Sequence, residues 1–161
     1  MRRIYCNSIK SDFKLLHDDK IVADVVYKNW LTGKAQATVN NSLIWLSPKN
    51  IWTSKIRIIK DDEEVGEITF TLRGTMVITL EVNGKEINYV LKNVSKLKLE
   101  LNVYNDAEEL QFTMKSKGKW NKLNYDYKIK MADFNNAVDL DELLVYCGYT
   151  ANLYLAIISS L

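Results

Sequence analysis

The single histidine of this 161-residue chain, His17, stands beside Asp18 and Asp19, the one place where an imidazole and a carboxylate are sequence neighbours. Acid–base catalysis needs such a pair aimed at a reacting group, but the trio falls where two β-type runs meet and reads as an exposed turn. No serine lies in a G-x-S-x-G elbow, and neither Cys6 nor Cys147 has a second histidine to activate it. The six glycines are scattered singly, so no loop is built to cradle a phosphate. Two acidic groups, Asp61-Asp62-Glu63-Glu64 and Asp139 with Asp141 and Glu142, offer hard oxygens of the kind calcium takes. Neither has the D-x-D-x-D-G spacing that bends a loop around the ion. The first reads as a solvated turn and the second as the start of a helix. The expectation is a chain that is not an enzyme and uses no metal or cofactor.

One cluster rises above this background. Lys115, Lys117, Lys119 and Lys122 crowd around Gly118, with Trp120 among them and Lys128 and Lys130 close behind. Each lysine near an anionic leaflet contributes about 1 kcal/mol, and Trp120 supplies an amphipathic ring suited to the headgroup level. Four lysines together support weak, salt-sensitive docking. The same pattern also serves to keep strand edges soluble, which leaves two expectations for partners: an anionic membrane surface, or a protein that the sequence does not identify. Nucleic acid is not expected, because Lys plus Arg number 22 against 20 Asp plus Glu and the net charge is only +2.

The elements that carry these residues are read from periodicity. The last twenty-odd residues, DLDELLVYCGYTANLYLAIISSL, form the one long segment with a helical start: Asp139 and Glu142 have capping-box spacing, and a helix is predicted over about 140–159. Apolar residues from Leu143 to Ile158 fall on every side of the helical wheel, so the helix must be surrounded. A lipid bilayer is one way to surround it. Against that stand Asn152 near its middle, Thr150 and Gly148 beside it, and the lack of flanking Lys or Arg. Burial of Leu153 and Leu155 within the protein is therefore expected.

Everything before the helix reads as β, over about residues 3–131. Short alternating runs are broken by turn residues at Asp18-Asp19-Lys20, Asn40-Asn41 and Asp61-Asp62-Glu63. The clearest unit is Met76 to Leu91, where Asn83-Gly84 predicts a two-residue hairpin pairing Leu80 with Ile87, Ile78 with Tyr89 and Met76 with Leu91 on one face. Alternation continues from Leu97 to Val103, from Leu110 to Met114, and from Leu123 to Met131. Trp30, Trp45 and Trp52 are expected in the core or at barrel ends. About twelve strands with one apolar face must split, stack or close. Closing around the helix satisfies both, because a barrel of this size encloses something about 10 Å across. The fold class predicted is mainly β, a closed antiparallel barrel of about twelve strands around a central apolar C-terminal helix, in a single domain of residues 1–161.

A run of antiparallel hairpins ending in DELLVYCGYTANLYLAIISSL resembles the tubby C-terminal-like superfamily, which includes the phospholipid scramblases and the LURP-one-related proteins. The likeness lies in the order of elements and in the terminal helix, with no diagnostic motif. It implies a barrel that meets phosphoinositide headgroups through surface Lys and Arg. No basic site of the family matches this sequence residue by residue, so none is carried over. With no apolar run behind Arg2 and Arg3, a cytoplasmic setting, peripheral to the membrane if it touches one, is expected, and both cysteines are expected to be free thiols.

Overall fold

The computed structural model describes residues 1–6, 11–29, 31–49, 55–71, 73–95, 97–117 and 125–159. Its strands are β1 (Arg2–Cys6), β2 (Phe13–His17), β3 (Lys20–Asn29), β4 (Lys34–Val39), β5 (Ser42–Pro48), β6 (Lys55–Lys60), β7 (Glu63–Phe70), β8 (Met76–Val82), β9 (Lys85–Asn93), β10 (Glu100–Tyr104), β11 (Leu110–Lys117) and β12 (Asp126–Met131), followed by one helix, α1 (Leu140–Ser159). Each strand pairs antiparallel with the next, and β1 closes the ring on β12 through Arg3↔Lys128 and Ile4↔Tyr127. Closure leaves no edge strand to be protected.

Turn chemistry sets the register. Asp18 and Asp19, Asn40 and Asn41, Asp61 and Asp62, and Asn83 with Gly84 all have positive φ. Two such residues in succession make the turn whose twist matches a hairpin, and Asn, Asp and Gly tolerate it best. The β8–β9 hairpin has the predicted pairing, Leu80↔Ile87, Ile78↔Tyr89 and Met76↔Leu91. Across its outer face the Thr79 hydroxyl donates to Asn88 Oδ1 at 2.7 Å.

Inward residues of every strand form one core with the helix. The helix touches β2, β3 and β4 on one wall and β8 on the opposite wall, so it occupies the lumen. It sits off-centre. Ala23, Ala35 and Ala37 line the near wall, while Tyr89 and Phe112 fill the far side. At the closest approach is Gly148, where an added Cβ would stand 2.9 Å from Ile4 Cδ1 and from the Phe13 ring.

Burial of the helix is continuous only from Leu143 to Asn152. Leu153 and Leu155, expected to be buried, are half-buried, and Ile157 and Ile158 are exposed. The reason is length. A six-residue strand spans roughly 20 Å and, tilted by about 40°, climbs about 15 Å along the barrel axis. The segment Leu143–Asn152 also rises about 15 Å, so the remaining turns emerge from the far mouth.

Three further expectations are corrected. The strand expected from Leu97 begins at Glu100, because the Ser95 hydroxyl accepts from the backbone N–H groups of Leu97 and Lys98 and holds them in a turn. Gln111 and Thr113, expected on a solvated face, are buried. Gln111 is covered by the segment returning to the helix, whose Asn135 N–H donates to Gln111 Oε1 at 3.2 Å. Trp45 lies on the outer wall, half-buried, with the Lys34 ammonium 5.0 Å from its ring centroid. Trp30 and Trp52 lie outside the described residues.

Candidate functional site

Because the strands run alternately up and down, their connections alternate between two ends of the barrel. One end collects the tight turns after β2, β4, β6 and β8, the connection of β10 to β11, and the start of the helix. The other collects the connections after β1, β3, β5, β7, β9 and β11, together with the emerging end of the helix.

Charge divides with the connections. The tight-turn end bears Asp18, Asp19, Asp61, Asp62, Glu63, Asp106, Glu108 and Glu109, all exposed, and these outnumber its exposed cations Lys20 and Lys85. The opposite end bears exposed Lys28, Lys34, Lys49, Lys55, Arg73, Lys98 and Lys117. Of the acidic groups there, Asp12 accepts from Tyr27 N and Asp126 accepts from Cys6 N, so both are engaged by the backbone. A chain of net charge +2 thus folds into a barrel with one acidic and one basic mouth.

Apolar residues accompany the cations. Leu31 is 77% exposed, Leu97 73% and Val94 50%, all on connections at the basic end, where Ile157 and Ile158 also emerge. A stalk of positive charge climbs the outer wall from this end. Register places Lys115 opposite Lys128, and Lys128 opposite Arg3. Like charges directly opposite one another weaken a sheet. Arg3 is relieved by Asp19 at 2.9 Å and Lys115 by Glu100 at 3.8 Å, while Lys128 and Lys130 have no ion-pair partner among the described residues.

Of the residues singled out in the sequence, Lys115 and Lys117 are exposed, two positions apart on β11 with the latter at the basic end. Lys119, Trp120 and Lys122 lie outside the described residues. Leu31, Leu97 and the lysines of the other connections were missed. Their signal was present in the charge of alternate turns, which becomes a pattern only once consecutive antiparallel pairing is assumed.

The acidic groups are engaged as turn and cap. Asp139 Oδ1 accepts from Glu142 N at 2.9 Å, completing the predicted cap. Glu142 is turned instead to Lys60, with Oε1 2.6 Å from Nζ, and Asp141 Oδ1 accepts from Arg2 Nε at 2.8 Å. Both pairs tie the first helical turn to the wall. His17 Nε2 lies 3.6 Å from Asp18 Oδ2. The Asp18 carboxyl is held below its ordinary value first by its hydrogen bond from the N-terminal ammonium, and then by the charges of that ammonium and His17. Among the described residues no cluster of His, Cys, Asp and Glu has the arrangement of a metal site, and no helix is long and apolar enough to cross a membrane.

Fold and surface together define a closed up-and-down barrel, plugged by its own C-terminal helix and electrically polarised along its axis. No protein-family model, curated protein or solved structure matches the chain.

Proposed function

We propose that this chain is a non-enzymatic barrel of the tubby-like kind that docks peripherally on anionic phospholipid headgroups, on the cytoplasmic side of a membrane. The architecture supports the likeness, since a closed twelve-strand barrel surrounds a C-terminal helix. The observation that carries the docking reading is the coincidence, at one mouth, of exposed lysines with the exposed side chains of Leu31, Leu97, Ile157 and Ile158. Cations draw the barrel to an anionic leaflet, and short aliphatic projections that reach the acyl boundary add area burial on arrival. The acidic mouth points the other way, so the barrel's own field sets its orientation.

The test is co-sedimentation with vesicles of neutral lipid, or of neutral lipid mixed with phosphatidylserine or a phosphoinositide, at fixed ionic strength. Binding to anionic vesicles that falls with added salt supports the reading. Replacing Lys115, Lys117, Lys119 and Lys122 by Gln is expected to reduce that binding with little change in stability, since Lys115 and Lys117 are exposed and exposed charges contribute little to it. Leu31→Asp with Leu97→Asp is expected to reduce it further at constant positive charge elsewhere. If the wild-type chain ignores anionic vesicles at low salt, the reading fails and a protein-binding scaffold barrel takes its place.

A further inference from the structure

At the acidic mouth, between the β8–β9 hairpin and the segment leading into α1, lies a cleft of about 620 Å³, within the size range of small-molecule sites. Val65, Leu80, Val82 and Val138 form apolar walls. Tyr146 also lines it, although its side chain is only 1% exposed. Among the described residues the Tyr146 hydroxyl takes part in no hydrogen bond, and as a lining group it keeps contact with the cleft. Helical side chains tilt toward the N-terminus, which carries this hydroxyl up past Glu142, one turn earlier, toward Asp139 at the cleft. Burial first, and then the Glu142 and Asp139 carboxylates, raise the phenol above its ordinary range and keep it protonated.

The charge of the lining is one-sided. Asp139 and Glu142 stand with a single cation, Lys60, and that cation is already held by Glu142 at 2.6 Å, while Glu81 adds negative charge at the exposed rim. Asp139 Oδ1 caps the helix by accepting from Glu142 N, and both its oxygens lie 3.4 Å from the Asn40 amide, with no cation paired to it among the described residues. A phenol oxygen that faces the cleft has room to accept a donor, and an apolar-walled cleft beside the Asp139 carboxylate, which no cation among the described residues pairs, suits a group that brings both positive charge and N–H donors.

We infer that this cleft binds a small organic amine, its ammonium donating to the Tyr146 oxygen and to the carboxylate of Asp139, and its apolar body lying against Val65, Leu80, Val82 and Val138. An organic anion is disfavoured by the same carboxylate. The site is independent of the basic mouth, which lies at the other end of the barrel, so the two readings stand or fall separately.

Three probes of one shape separate charge from hydrophobicity: phenethylamine, 2-phenylethanol and 3-phenylpropionate, each titrated into the whole chain and followed by backbone amide shifts. The expected result is that phenethylamine shifts the amides of 80–83 and 137–142, that the alcohol binds about tenfold more weakly, and that the acid does not bind. Asp139→Asn keeps a good cap residue while removing the charge, and Tyr146→Phe removes only the hydroxyl. Each is expected to weaken phenethylamine binding by roughly tenfold while the remaining amide spectrum stays in place. The inference is overturned if the acid binds as well as the amine, if the shifts fall elsewhere, if phenethylamine at low-millimolar concentration shifts nothing, or if both variants bind it as the wild type does.

Discussion

The Tyr149 hydroxyl, inside the barrel, donates to the carbonyl of Gly33 at 2.7 Å, joining the central helix to the β3–β4 connection across 116 positions of sequence. Tyr149 also stacks on Tyr27, with centroids 5.8 Å apart and rings 13° from parallel. Tyr149→Phe keeps the ring and its stacking but strands a buried carbonyl. The expected loss is about 1–3 kcal/mol, measured as a lower denaturant midpoint at unchanged slope.

Two glycines mark close approaches. An added Cβ at Gly66 would stand 2.1 Å from the Thr79 backbone oxygen, which a side-chain adjustment cannot relieve. Gly66→Ala must open the β7–β8 pairing, and a loss of more than about 2 kcal/mol is expected. At Gly148 the neighbours are the end of Ile4 and the Phe13 ring. Alanine there gains about 1 kcal/mol of helix propensity against an overpacking cost of about 1–3 kcal/mol, so Gly148→Ala should be destabilising by the smaller amount. Equilibrium unfolding of both variants ranks them.

Position along the helix decides the cost of a charge. Leu144→Asp places a carboxylate at a residue with no exposure, and no folded, soluble barrel is expected. Leu155→Asp falls where the helix emerges, and a folded protein with a reduced midpoint is expected. Amide spectra of the two variants check the gradient, and equal outcomes would place the end of the lumen elsewhere.

Alkaline pH should destabilise the barrel. Burial, and then Asp126, push the Cys6 thiol from 9.0 up to about 12. Burial, followed by Cys147 and Asp106, pushes the Tyr89 phenol from 10.0 up to about 12. Burial also raises Cys147, Tyr27, Tyr127 and Tyr149. The unfolded chain loses these protons near the ordinary values while the folded barrel retains them. Their contribution to stability is therefore complete below pH 9.0 and is lost as pH rises toward 12. Denaturant midpoints should be flat with respect to these groups below that window and fall through it.

The same burial makes both cysteines poor nucleophiles, since the thiolate is the reactive form. Neither Cys6 nor Cys147 should react with a thiol reagent at neutral pH in the folded protein, and both should after unfolding. Counting modified thiols by mass spectrometry before and after denaturant checks this.

The sequence by itself determined the elements and their register. Asn83-Gly84 and the alternation around it place Tyr89 inside, because a slip of one residue would turn the whole apolar set outward. An all-round apolar helix after twelve one-sided strands leaves closure as the arrangement that buries both. Tertiary structure decided the rest. The length of lumen available to the helix depends on strand tilt, which no local pattern encodes, so the partial burial of Leu155 and the exposure of Ile158 could not be read in advance. Gln111 is dry because a segment twenty-four residues later folds over it. The sequence singled out one lysine cluster, but the polarity of the barrel arises from turns far apart in sequence that antiparallel pairing gathers at two mouths. Tyr146, Leu80 and Asp139 meet at one cleft for the same reason: charge, hydroxyl and apolar wall are local, while their convergence is a property of the closed sheet.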